Sequence, residues 1–316
     1  AVWHIQLGAA MFEDWRVFID ARDGKVLQAY DNRQTGTPAK GSGIDLSGQS
    51  RALDIYKIGG DYYLLNAAKS MFNGAALDKI SDMQGIIAIG DARNVAPDQF
   101  NTLYYVKSTA TNAWPANAVS LSWVFSQTYD YFKNVHGLTS LDNGRHNVIG
   151  IVNMGKQYNN AFWHGGIKMF CFGNGDGQAL KDLASSLDII AHEYGHGVTQ
   201  YGSALEYQFQ SGALNEAFSD FTGVMVEFYA DPANADWLIA EDCMPAFSAY
   251  NCMRDLTNPG SSRAMERSPA KMSEYANLTI DQDNGGVHVN STIPGHAFYV
   301  LSTLMPREKM EKIIYR

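Results

Sequence analysis

The sequence predicts an α+β chain of two lobes, β-rich in its first part and mainly α-helical in its second, with one helix at the join. Three observations carry this expectation. Short apolar runs punctuated by Gly, Asn and Asp dominate up to about residue 173, helical periodicity takes over beyond it, and no segment repeats. With 316 residues, 46% of them hydrophobic, the chain can bury a large core.

Taken in order, "WHIQL" and "WRVFIDARDGKVLQAY" read as a small β unit over residues 1–33, with Asp23 and Gly24 at a hairpin turn. "DNRQTGTPAKGSGIDLSGQS", rich in Gly, Ser, Thr and Pro, reads as an exposed linker, and residues 34–50 are set apart on that ground. "ALDIYKI", "DYYLLNA" and "GIIAIG" are strand-like, and "ANAVSLSWVFSQTYDYFKNVHG" has apolar residues at helical spacing. "NVIGIVNM" and "NNAFWHGGIKMFCFG" read as strands, the second a hairpin turning at Gly165 and Gly166. They close a β-rich lobe over 51–185. From 186 to 316 the chain is helical: "LKDLASSLDIIAHEYGHGVTQYG" reads as one helix ending near Gly202, and "SGALNEAFSDFTGVMVEFYA" as a second, stopped by Asp231-Pro232.

The formal net charge is −9 and no basic run occurs, so nucleic acid and anionic membrane surfaces are not expected as partners. No stretch approaches the length of a membrane span. The chain opens on "AVWHIQL" without an initiating Met and shows no signal peptide, so a fragment is expected. Three cysteines are too few for a disulfide scaffold. Cys243 and Cys252 flank one short loop and are compatible either with a local bridge or with reduced, buried thiols.

Chemistry concentrates in "DIIAHEYGHGVTQYG". His192 and His196, four apart, share one helix face and can direct nitrogens at one atom, while Glu193 stands one step around. Two partly buried histidines on an amphipathic helix also fit this pattern, so the third ligand decides. A metzincin continuation needs Gly and His where Thr199 and Gly202 stand. Twenty residues past His196, however, Glu216 lies on the next predicted helix, with Asp220 on the same face to accept a ligand histidine's free N–H. Two histidines and one glutamate leave zinc an open position for water, the mark of a catalytic site.

"HEYGH", "GALNEAFSD", "NNAFW" and "DNGGVH" together resemble the thermolysin-like family of zinc neutral peptidases over most of residues 40–304. The resemblance implies that His192, His196 and Glu216 bind zinc and that Glu193 is the general base for the attacking water. It implies Tyr207 and His288 as oxyanion donors, and Asp283 as the acid that orients His288. Asn160 and the Ala161 carbonyl would hold the peptide main chain as an added strand, Trp163 would line the cleft, and Arg254 would bind a substrate carbonyl. Leu180, Leu183, Ile189, Ile239 and Met253 would line an apolar pocket for the residue after the scissile bond.

Asp188, Glu227, Asp236 and Glu241 match the family's calcium carboxylates, so at least one calcium is expected, with the intervening loop altered at Leu238. By the same resemblance, residues 1–33 are the end of a propeptide that inhibits and assists folding, cut between Asn32 and Gly41. The protein is then a secreted, monomeric endopeptidase acting on proteins and peptides. The family continues further past His288 than this chain does, so a truncated C-terminal lobe is expected. A non-catalytic zinc- and calcium-stabilised binding module is the alternative, disfavoured because such a module needs neither base nor oxyanion donors.

Overall fold

The computed structural model describes residues 1–7, 15–31, 36–73 and 79–316. β1 (Val2–Leu7), β2 (Trp15–Asp20) and β3 (Val26–Asp31) form an antiparallel sheet in the order β1-β2-β3. The β2–β3 turn passes through Gly24 at φ 73°, inside the expected hairpin.

The stretch expected as a linker departs from expectation. Residues Thr37–Ile44 are a strand, β4, paired antiparallel with β5 (Ser50–Ile58) from Thr37↔Lys57 to Ile44↔Ser50. Its glycines have a packing reason: a Cβ on Gly43 would lie 2.5 Å from Val119. Small residues let this strand lie close to the helix that follows, and their composition reads as a loop when seen alone. Residues 32–35, where the expected propeptide cut begins, lie outside the described residues.

β6 (Asp61–Tyr63), β7 (Leu65–Asn66), β8 (Ile87–Asp91), β9 (Tyr104–Tyr105) and β10 (Lys107–Ser108) follow, then α1 (Ala116–Tyr131). β11 (Val148–Val152), β12 (Ala161–His164) and β13 (Met169–Phe172) complete two sheets, ordered β10-β6-β5-β4 and β12-β13-β11-β8-β7. In the second sheet β8, β11 and β13 run parallel and β12 is an antiparallel outer strand. α1 buries Ala118, Leu121 and Phe125 completely, and the π-turn at Phe132–His136 carries it to the left-handed Gly137.

The helix expected over 180–202 is shorter. Asp182 accepts from the Ala184 N–H and caps a single 3-10 turn at Leu183–Ser185, and extended Ser186 separates it from α2 (Leu187–Tyr201). α3 (Phe209–Ala230), β14 (Leu238–Ile239), β15 (Arg254–Asp255), α4 (Asp283–Leu304) and α5 (Arg307–Tyr315) follow. The β-rich first part and helical second part are as expected. One core cluster runs from Leu53 through α1, β11, β13, α2 and α3 to Met310, so α2 lies inside it and not on a surface. Among the described residues, no helix is long and apolar enough to cross a membrane.

Candidate active site

α2 and α3 are antiparallel, as the contacts Asp188 with Gly223, His192 with Asp220 and His196 with Asn215 show. Gly195 lets them approach: a Cβ there would lie 3.0 Å from the Ser219 Cα. The two helices therefore face each other with the His192/His196 pair against Glu216, whose side chain is fully buried.

The histidine tautomers follow from their partners. His192 Nδ1 lies 2.8 Å from Asp220 Oδ1, and His196 Nδ1 lies 2.8 Å from Asn215 Oδ1. Both acceptors require Nδ1–H, which turns both Nε2 lone pairs toward one point. The two Nε2 atoms are 3.1 Å apart, and they stand 3.4 and 3.3 Å from the Glu216 oxygens. Donors about 2.05 Å from a tetrahedral zinc are spaced by about 3.3 Å, close to these separations, in which each nitrogen faces a different oxygen of Glu216. Two lone pairs and a buried carboxylate at this spacing need positive charge between them. The field there favours positive charge: burial opposes charge on His192, but Asp220 and Glu216 outweigh burial and raise its pKa to about 10. The donor set fits zinc.

Glu193 lies beside this triangle and outside it. It is 5% exposed, and its Oε2 has no hydrogen-bond partner. Burial raises its pKa, partly countered by His192 and His196, while the Trp163 N–H also stabilises its charge. Across the cleft, the Tyr207 hydroxyl donates to Glu216 Oε1 and lies 3.1 Å from His288 Nε2. Asp283 accepts from His288 Nδ1–H and from the backbone N–H groups of His288 and Val289, so it both caps and orients. Burial opposes charge on His288, but Glu216 and Asp283 raise its pKa.

These residues line a cleft of about 540 Å³ with Asn160, Ala161, Trp163, Leu183, Ile189, Met253 and Arg254. β12 forms one wall. The carbonyls of Asn160 and His164 accept from the β13 side, so the alternate residues Ala161 and Trp163 present backbone groups to the open edge. Of the five expected pocket residues, Leu183, Ile189 and Met253 line the cleft, while Leu180 and Ile239 lie deeper in the core cluster that Leu183 and Ile189 also join. Ile239 pairs with Arg254 across β14 and β15, so the two side chains share one face of that short ladder. Arg254 is also less free than expected. Its Nε and Nη2 form a fork on Asp220, at 2.9 and 2.6 Å, and Nη1 reaches Glu266 Oε2 at 3.4 Å and Met253 Sδ at 3.5 Å.

The carboxylates of Glu227, Asp236 and Glu241 converge, with oxygens within 4.8 Å of one another. Asp188 differs from expectation: its oxygens accept from the Ser186 hydroxyl and from the N–H groups of Ile189 and Ala240. It still contributes negative field. Burial, then Asp188 and Asp236, push Glu227 up to about 9, and burial, then Asp188 and Glu227, push Glu241 up to about 10. Cys171, Cys243 and Cys252 are all buried and free, so the local bridge is not formed.

Sequence reasoning missed Asn215 and Ser219, which both approach His196 Nδ1. A signal was present: Asn215/Ser219 repeats, one residue earlier, the i, i+4 spacing of Glu216/Asp220. It also missed Gln200, whose Oε1 accepts from the Trp163 indole at 2.7 Å.

The family model of the thermolysin metallopeptidase catalytic domain matches residues 40–200, and that of its alpha-helical domain matches residues 203–316. Thermolysin of Bacillus sp. (strain EA1) is 35% identical over 313 residues, covering 96% of the chain and 55% of that relative. Neutral protease B of Bacillus subtilis (strain 168) is 33% identical over 322 residues, covering 96% of the chain and 54% of that protein. The chain thus spans about half the length of the curated relatives it matches. The solved precursor of protealysin, a metalloproteinase from Serratia proteamaculans, is 32% identical with a TM-score of 0.62, covering 69% of this chain and 68% of that one.

Proposed function

Because the chain belongs to the thermolysin metallopeptidase family, we propose that it is a zinc-dependent endopeptidase with Glu193 as general base. The observation that carries the reading is the placement of a buried Glu193, its Oε2 without a hydrogen-bond partner, beside the donor group of His192, His196 and Glu216. Zinc, when bound there, supplies a Lewis acid and lowers the pKa of water. Glu193 takes the proton of the attacking water and passes it to the departing amine. Tyr207 Oη and His288 Nε2 donate to the substrate carbonyl oxygen as it gains charge. Asn160 and the outer edge of β12 hold the peptide main chain, and Arg254 Nη1, which Glu266 and Met253 Sδ also approach, turns to a substrate carbonyl. Casein hydrolysis that stops on chelation and returns with zinc is the expected result. Hydrolysis indifferent to chelator would refute the reading.

The pocket after the scissile bond is formed by Leu183, Ile189 and Met253 beside Arg254. Burying a Leu, Ile, Val or Phe side chain there gains roughly 1.5 to 3 kcal/mol, while a charged side chain would be desolvated without a partner. Met253 is flexible and broadens the choice. Cleavage on the amino side of large apolar residues is expected when new N-termini from a digested protein mixture are sequenced. A majority of charged residues or glycine at that position would misplace the pocket.

Calcium at Glu227, Asp236 and Glu241, with Asp188 adding field, ties α3 to the following loop. The pH dependence tests it. Carboxyl pKa values raised on folding leave stability intact below the unfolded values near 4.5, and cost increasing stability as pH climbs toward about 9 to 10. Zinc-loaded protein stripped of calcium should therefore melt progressively lower between pH 5 and pH 9, roughly the interval between these two limits. Added calcium should flatten that slope, and an identical slope at all calcium concentrations would exclude the site.

Residues 1–33 are proposed as the end of a propeptide and residues 34–50 as the junction with a secreted, monomeric enzyme of two lobes, 51–185 and 186–316. The cut is expected between Asn32 and Gly41, the interval in which β4 begins at Thr37.

A further inference from the structure

The turn that carries His288 and the start of α3 interlock in a way the reaction scheme does not use. Asp283, Asn284, Gly285 and Gly286 are four successive left-handed residues, at φ 53°, 48°, 84° and 82°. The aromatic ring of Phe209 lies on this turn, and a Cβ on Gly285 would meet ring atoms at 2.3 and 2.6 Å. In the reverse direction, Val287 fits over Gly212, where a Cβ would lie 2.4 Å from its methyl group. Phe209 is itself strained, with φ 50°, a conformation rare for a bulky residue and one that persists only where its surroundings impose it. It is also 45% exposed, so burial of its ring does not explain the strain.

Both interlocking pairs join the two segments that carry the oxyanion donors. Phe209 follows Tyr207 by two residues, and Val287 immediately precedes His288. We propose that Phe209 is a positioning residue: its ring, held in a left-handed conformation on Gly285, sets the His288 turn against Tyr207 and so fixes the 3.1 Å separation of their polar atoms. This inference rests on the endopeptidase reading for its consequence in catalysis, and on packing alone for its effect on the turn.

Two measurements on the zinc-loaded protein test it separately. Phe209→Asn removes the ring while asparagine accepts the left-handed φ, so the melting temperature should not fall. Hydrogen exchange in a peptide covering 283–290 should quicken in this variant, with the rest of the chain unchanged. Peptide hydrolysis should lose about tenfold or more in kcat with KM within about twofold, since misplaced donors weaken the transition state and not the bound peptide. Phe209→Tyr, which keeps the ring, should restore both. Unchanged exchange in Phe209→Asn would overturn the proposal even if the parent hydrolyses nothing, an outcome that by itself would sink only the endopeptidase reading. Quickened exchange with kcat retained would overturn the catalytic consequence.

Discussion

Glu193→Gln is expected to keep zinc and lose activity by about a hundred- to ten-thousandfold, or roughly 3 to 5 kcal/mol of transition-state stabilisation. His192, His196 and Glu216 form the donor triangle without Glu193, so the substitution leaves the metal ligands in place. Glutamine is nearly isosteric and can still accept the Trp163 N–H that faces Glu193. It cannot take a proton. The raised pKa of Glu193, caused by burial, makes the carboxylate a stronger base than an exposed glutamate, and the amide forfeits that property entirely. Metal content and turnover measured on one sample decide the matter. Full activity with full zinc would end the proposed mechanism.

Asp220→Ala is expected to damage both stability and metal binding. Asp220 accepts the fork of Arg254, a side chain 3% exposed, and the Nδ1–H of His192, and it is itself fully buried. Removing the carboxylate leaves the guanidinium buried beside only Glu266, at 3.4 Å. The expected cost is about 3 to 5 kcal/mol, a fall in melting temperature of the order of 10 °C. His192 also loses the bond that fixes its tautomer, so zinc affinity should drop about 10- to 100-fold. The double substitution Asp220→Leu with Arg254→Met separates the two effects, because an apolar pair removes the stranded charge without replacing the histidine's acceptor. Stability should largely return while zinc affinity stays low. An unchanged melting temperature in Asp220→Ala would show that the pair is not holding the helices together.

Local spacing makes part of the site legible from the chain. His192 and His196 share a face because both lie on one helix, and Glu216 and Asp220 for the same reason. The strands with apolar alternation and the helix α1 follow from periodicity in the same way. The linker expectation failed at β4 for a physical reason: the value of Gly41 and Gly43 lies in what they let approach, Ile55, Thr111 and Val119, and those neighbours are distant in the sequence. The long helix expected from residue 180 failed because Asp182 bonds its own turn and ends it, a local contest between cap and helix that composition does not resolve.

By itself, then, the sequence determined that His192 and His196 share one helix face, that Glu216 and Asp220 share another, and the succession from strands to helices, since each depends on residues within one element. Only the tertiary structure decided which nitrogen of each histidine is turned inward, because Asp220 and Asn215 reach them from the opposing helix. It also decided that Arg254 is committed to Asp220 and that Phe209 lies on the turn of His288. Each of these is a matter of direction between elements far apart in the chain, and direction arises only when helices and strands pack.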